Sequence, residues 1–218
     1  MGRNIERDER EAVLRKERLI QAGLELFSKD GIESVSLNAV AAKADVGIAT
    51  MYNYFQNKLN LVVAISTRMW SGVWEKTLLD VSAAELQKMN AYELTELYCD
   101  NIIALYLERP EILRFSANYK TFVNREGASK EQYQDQIEAL KPVEQIFHLK
   151  YEEAKQNKSI RTDIPEKEIF SMITLTMLAM AERYAQGLVW AKSHEHDYRQ
   201  ELNYLKDMIL NWLKPLEN

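Results

Sequence analysis

Cysteine is nearly absent from this sequence: Cys99 stands alone among 218 residues. One thiol forms no internal disulfide and builds no cysteine-clustered zinc site, and a reducing compartment is the plain expectation. Glycine (7) and proline (4) are scarce as well. So few turn formers and helix breakers argue against a β-sandwich or a glycine-rich nucleotide fold. No apolar run approaches the ~18 residues of a membrane span. The N-terminal stretch MGRNIERDEREAVLRKERL has no apolar signal core, so a cytoplasmic location is expected. Histidine is limited to His148, His194 and His196. His194-Glu195-His196 lacks the spaced helical arrangement of a zinc hydrolase, because its side chains leave a helix on different faces. GxSxG, CxxC and phosphate-loop motifs are missing too. The expectation is therefore no enzyme activity, no metal and no cofactor.

What is present is the composition of a folded domain: 46% hydrophobic, 28% charged and 10% aromatic residues. The net charge of -5 argues against a blanket nucleic-acid binder. Its distribution is uneven. Residues 1–65 carry nine basic and nine acidic side chains, and the remainder carries 19 against 24. A neutral segment followed by an acidic one is compatible with a small DNA-contacting module, where only the contacting face has to be basic.

Nearly everything reads as helix. Residues 6–29 show Ile20, Gly23, Leu24 and Phe27 at helical spacing, ending at Asp30-Gly31. Ser36 is a fair N-cap for a short helix over 37–43. Ala44-Asp45-Val46 is a turn, and another short helix starts near Gly47. From there the pattern predicts long helices over 57–79, 84–107, 110–124, 130–156, 165–191 and 195–214. Pro142 falls inside one of them, as a candidate kink or break. The predicted domains are 1–60 and 61–218, sharing a helix near 57 rather than a tether.

Three short helices with a tight turn before the third make a helix-turn-helix candidate. A helix entering the major groove needs small or polar groups on the outer face of its first turns. Here that turn reads Gly47-Ile48-Ala49-Thr50. Gly47 and Ala49 allow close approach, Thr50 offers a hydroxyl, and Ile48 suits a thymine methyl. Tyr52, Tyr54 and Lys58 follow as a candidate phosphate clamp. Read singly, Phe55 and Tyr52 fit a core, and Lys58 fits a solvated surface.

Residues 18–61 resemble the N-terminal DNA-binding domain of TetR-type transcriptional regulators. The resemblance rests on Ile20–Ala22, Glu25-Leu26-Phe27, Gly31, Ser36, Val40-Ala41, Ala44, Val46, the Thr50–Phe55 run and Lys58. It implies an all-α fold: a three-helix DNA-binding head with the helix-turn-helix, then a helical ligand-binding and dimerisation domain. It also implies DNA-facing roles for Ser36 and Asn38 on the second helix, and for Ile48, Ala49, Thr50 and Asn53 on the recognition helix, with Tyr52, Tyr54 and Lys58 on the backbone. There are departures from the family's pattern. Asp45 stands where glycine is usual, Gly47 replaces a Ser/Thr cap, Ile48-Ala49 replaces a polar-then-Gly pair, and Leu59 replaces a common glutamate.

For the rest of the chain the resemblance implies a ligand cavity. Aromatics and Met suit an apolar or flat effector there. Candidate ligand residues are Trp70, Trp74, Tyr119, Phe122, Phe147 and Met177, with Asn101, Glu144, His148 and Glu182 as polar groups in apolar context. Most of these aromatics also fit an ordinary core. Over 195–214, Tyr198, Leu202, Leu205, Ile209 and Trp212 recur at 4, 3, 4, 3, a seam for another long helix. Together with 165–191, where Ala181 and Gly187 permit close approach, it reads as an association surface. The resemblance implies a homodimer there, reading an inverted repeat in double-stranded DNA. The leading expectation is thus a homodimeric repressor released from its operator by a small molecule. The alternative is a DNA-bound regulator or scaffold controlled by a protein partner.

Overall fold

A computed structural model describes residues 5–80, 83–129, 131, 134–189 and 198–216, with the side chains of 5–6, 74–80, 83, 135–137, 139 and 140 left aside. Ten helices lie among the described residues, with no strand. They are α1 (Ile5–Asp30), α2 (Leu37–Lys43), α3 (Ile48–Phe55), α4 (Lys58–Asp80), α5 (Ala83–Lys88), α6 (Ala91–Glu108), α7 (Pro110–Arg125), α8 (Gln134–Asn157), α9 (Glu166–Ala185) and α10 (Tyr198–Leu213).

The chain divides into two compact units. One comprises Met1–Trp70 with Arg114–Glu138, the other Ser71–Leu113 with Ala139–Asn218. The division falls within α4, several residues beyond the expected position 60, and the first unit also takes in most of α7.

In the first unit, Leu19, Phe27, Val40, Met51, Leu61 and Ile65 are wholly or nearly wholly buried. α1 and α4 approach closely at Gly23, where an added Cβ would lie 2.6 Å from the Ile65 Cδ1. α1 ends at Gly31, whose φ of 85° is the left-handed conformation that glycine adopts at no cost.

The turn between α2 and α3 is a Schellman closure. The Val46 N–H donates to the Ala41 carbonyl at 3.0 Å and the Asp45 N–H to the Ala42 carbonyl at 3.2 Å. This closure forces Asp45 to a φ of 54°. Glycine fits that geometry best, and aspartate tolerates it better than most residues. The Asp45 side chain gains little in return. It is fully exposed, and among the described residues its ion pair is with the Arg18 guanidinium at 3.8 Å.

In the second unit α6, α9 and α10 pack together. Ile102, Ile103, Ile169, Ile173, Met177, Leu202 and Leu213 are buried there. The predicted helix over 84–107 is two helices. Asn90 caps α6 by accepting from the Tyr92 and Glu93 N–H groups, and the Glu93 carboxylate accepts from the Asn90 N–H at 2.9 Å. This capping box is written in the sequence as Asn90-Ala91-Tyr92-Glu93.

The predicted helix 165–191 stops at Ala185. Gly187 does not serve close helix approach; it ends α9, with φ 70° and open space where a Cβ would stand. The Leu188 N–H returns to the Arg183 carbonyl at 3.1 Å. α8 runs on through Pro142, whose missing N–H leaves one carbonyl a turn earlier without its usual donor. The predicted start of the last helix, 195–197, and His194 with His196 lie outside the described residues.

The 4-3-4-3 seam of α10 faces its own chain. Leu202 and Ile209 are buried, Leu205 and Trp212 half-buried, and Lys206 bridges to Asp100 of α6 at 2.7 Å. Arg161 lies over the Trp212 ring at 5.0 Å, and its N–H donates to the Leu213 carbonyl at 2.7 Å. A seam read as intermolecular is thereby largely satisfied within the protomer.

The turn geometry carries a prediction. Asp45→Gly relieves the left-handed backbone and gives up only an exposed, long ion pair worth little. Stability should rise by about 0.5–1 kcal/mol, or ~2–4 °C in Tm. Thermal unfolding followed by circular dichroism checks this, and a lower Tm would refute the assignment of strain.

Candidate nucleic-acid interface and ligand cleft

α3 is eight residues long and strictly two-sided. Met51 and Phe55 are buried, and Ile48, Ala49, Tyr52 and Asn53 are exposed. Isolated helices of this length are marginal in water, so burial of one face is what holds the other outward. Gly47 caps the helix with extended backbone and no side-chain bond. The first N–H groups of α3 consequently have no side-chain cap competing with an anion. Thr50 is half-buried, on the edge of the outer face.

α2 is capped differently. The Ser36 hydroxyl accepts from the Ala39 N–H at 3.2 Å, which caps α2 and leaves its O–H free to donate. Asn38, Ala39, Ala42 and Lys43 form the exposed side of α2. Lys43 pairs with Glu25 at 2.8 Å, and that ammonium, by hydrogen bonding, holds the Glu25 carboxyl below the usual carboxylate range.

Two of the expected phosphate-gripping groups are occupied inside the chain. The Tyr54 hydroxyl donates to the Ala12 carbonyl of α1 at 3.2 Å. The Lys58 ammonium donates to the Glu33 carbonyl at 2.9 Å and lies 5.9 Å from the Phe27 ring centre. Burial pulls the Lys58 pKa down, opposed by the charge of Glu33. Arg125 of α7 also pairs with the Glu33 carboxylate. Tyr54 and Lys58 therefore act here as braces, holding α3 and the start of α4 to α1 and the loop after it. Tyr52 is the phenol left outward, 48% exposed.

The second unit holds an open-mouthed apolar cleft lined by α5, α6, α8 and α9, with a cavity volume of about 60 Å³. Its walls include Leu94, Leu97, Tyr98 and Asn101 of α6, Ile146 and Phe147 of α8, and Phe170 and Ile173 of α9. Phe147 and Phe170 pack at 5.1 Å between ring centres, Tyr98 and Phe170 at 6.2 Å. Burial pushes the Tyr98 phenol up to about 12. Tyr98 and Phe170 were not among the chosen ligand candidates, although Leu94, Tyr98 and Asn101 fall at helical spacing on one face of α6.

Of the residues expected to hold a ligand, Asn101 and Phe147 line this cleft. Trp70, Tyr119 and Phe122 do not; they are buried in the first unit, where Tyr119 packs on Phe115 at 5.9 Å. Met177 is fully buried away from the lining. Glu144 and His148 are exposed on α8. The His148 Nδ1 lies 2.7 Å from a Glu166 carboxylate oxygen, and that hydrogen bond raises the imidazole pKa. Glu182 is half-buried on α9 and is not part of the lining. The Trp74 side chain lies outside the described residues.

Residues 19–65 match the family of bacterial regulatory proteins, tetR family. The HTH-type transcriptional repressor KstR of Mycobacterium tuberculosis is 40% identical over 63 residues, which are 29% of this chain and 29% of that protein. The match thus spans under a third of that relative's length. Among solved structures, a tetR-family regulatory protein from Rhodococcus RHA1 superposes with a TM-score of 0.67 at 14% identity, covering 93% of this chain and 98% of that one. FadR from Bacillus subtilis, solved with stearoyl-CoA, superposes with a TM-score of 0.64 at 17% identity, covering 90% and 98%. At these identities the likeness to the solved structures is one of fold. The match to the tetR family of bacterial regulatory proteins thus covers residues 19–65, and the fold of solved tetR-family proteins extends over most of the remainder.

Proposed function

We propose that the protein is a DNA-binding transcriptional repressor controlled by a small molecule. The observation that carries the reading is the two-sided α3, with Ile48, Ala49, Tyr52 and Asn53 outward on a helix thin enough for the major groove. Asn53 serves as the base-reading amide, Ile48 as the contact for a thymine methyl, and Tyr52 as the phenol that meets the backbone. The uncapped start of α3 meets a phosphate through its N–H groups. Tyr54 and Lys58 contribute by fixing α3 rather than by gripping DNA.

The active species in this reading is a homodimer bound to an inverted repeat, its two recognition helices about 34 Å or somewhat more apart. The surface that supports it is the outer side of α9 and α10. Met172, Leu175, Tyr204 and Met208 are all exposed there, Met208 to 68%. Control by a small molecule rather than by a protein partner rests in this reading on the apolar, uncharged lining of the cleft and not on its size. Ligand entry shifts the helices of the second unit, and α4, which supplies residues to both units, carries the shift to the DNA-reading helices.

Selection of duplexes from a random pool supplies the operator on which these claims are measured. In fluorescence anisotropy on that duplex, Asn53→Ala should weaken binding about tenfold or more and relax preference at one position. Tyr54→Phe should instead cost about 1 kcal/mol of folding stability and leave the salt slope as it was. A reduced salt slope in Tyr54→Phe would restore that hydroxyl to a phosphate. No selectable duplex at all would end the repressor reading.

Leu175→Glu combined with Met208→Glu should yield folded monomers by light scattering. A dimer that persists in this variant moves the interface away from α9 and α10.

A further inference from the structure

The cleft lining narrows what the controlling molecule is, an argument that rests on the ligand-binding reading above. We propose that the ligand is an uncharged, largely apolar molecule bearing one hydrogen-bond-accepting oxygen, of the ketone or alcohol class, which meets the Asn101 amide.

The first ground is charge. Leucine, isoleucine, valine, phenylalanine, tyrosine, threonine and asparagine make up the described lining, and none of these carries a charge at neutral pH. Tyr98, its phenol held neutral by burial, offers no anion to a cationic ligand. A carboxylate, phosphate or ammonium group pressed against such walls loses its hydration and gains no opposite charge.

The second ground is an unpartnered donor. The Asn101 Nδ2 is buried and has no hydrogen-bond partner. The other short polar group of the wall is spent: the Thr95 hydroxyl donates to the Ala91 carbonyl at 2.8 Å. A buried amide donor without an acceptor is destabilising, and a ligand oxygen seated against it relieves that penalty. A site of this kind discriminates strongly against analogues lacking the oxygen. The aromatic wall of Tyr98, Phe147 and Phe170 takes the apolar remainder.

The position of Asn101 gives the contact a consequence. It lies on α6, next to Asp100, which Lys206 of α10 holds at 2.7 Å. A ligand that draws on Asn101 thus pulls on the helix against which α10 is seated.

The test uses the full chain and four probes of equal chain length: 2-decanone, 1-decanol, decanoate and decylammonium. Calorimetric titration at pH 7 should show the ketone and alcohol binding roughly tenfold or more tighter than either ion. Asn101→Leu should weaken 2-decanone about five- to tenfold, and Asn101→Asp should shift preference to decylammonium. The charge series on the unsubstituted protein stands by itself if either variant fails to fold. Decanoate binding as tightly as 2-decanone, or Asn101→Leu binding the ketone unchanged, overturns the ligand class and leaves the ligand reading standing. If none of the four probes binds while the selected duplex does, the cleft is no ligand site and both fall.

Discussion

An eight-residue helix cannot hold itself, and the working part of this protein is one. α3 keeps its shape because Met51 and Phe55 are sunk into the core of the first unit and because the Tyr54 hydroxyl is tied to α1 through Ala12. Everything outward on α3 is small or neutral, so none of it contributes to holding the helix. The anchoring is therefore concentrated on the inner face and at the two ends. The Schellman turn at Asp45 fixes the entry. The exit at Gln56 is another left-handed residue, with φ 59°, where Lys58 and Asn57 take over: the Asn57 side chain accepts from the Asn60 N–H at 2.9 Å.

The same logic explains why the polar side chains most suggestive of DNA contact have structural partners. A tyrosine half-buried beside a helix needs an acceptor for its hydroxyl. A lysine beside a phenylalanine ring is best placed with its ammonium on a nearby carbonyl. Tyr54 and Lys58 satisfy these requirements on Ala12 and Glu33. In the proposed reading their part is geometric, since the orientation of α3 would decide which base edges Asn53 reaches. Tyr52, on the exposed face two residues earlier, is the side chain with freedom to meet a phosphate.

The first unit was the more legible part of the sequence. Its helices are short, their turns carry Gly31 and the Ala44–Val46 closure, and their inner positions repeat at helical spacing. The second unit was legible as helix but not in its partnerships. Periodicity announces that Leu202 and Ile209 share a face, yet cannot say whether α6 or another protomer covers it. Aromatics misled for a related reason. Trp70, Tyr119 and Phe122 are as apolar as Phe147, and the chain's return through α7, which brings Tyr119 and Phe122 into the first unit, has no local sequence signature. Asn90 and Gly187 are different cases. Both helix ends were written plainly, as a capping box and as a left-handed C-terminal glycine, beneath the apolar runs that continue past them.

Buried polar groups finally separate structural parts from working ones. Lys150 is as buried as a core leucine, 3% exposed, but its ammonium donates to the Gln87 carbonyl at 2.8 Å and to Glu153 at 2.9 Å. It is a tie between α5 and α8, complete as it stands. The Ser66 hydroxyl is buried without a partner, a small neutral group whose desolvation is a modest cost. Asn101 differs from both. It is unpartnered like Ser66, it carries the larger dipole of an amide, and it stands where the fold leaves room. An orphaned amide in a packed core would be a defect that an apolar substitution cures. At the edge of an open apolar cleft, on a helix that packs against both α9 and α10, it is in the proposed reading a polar group kept for an occupant.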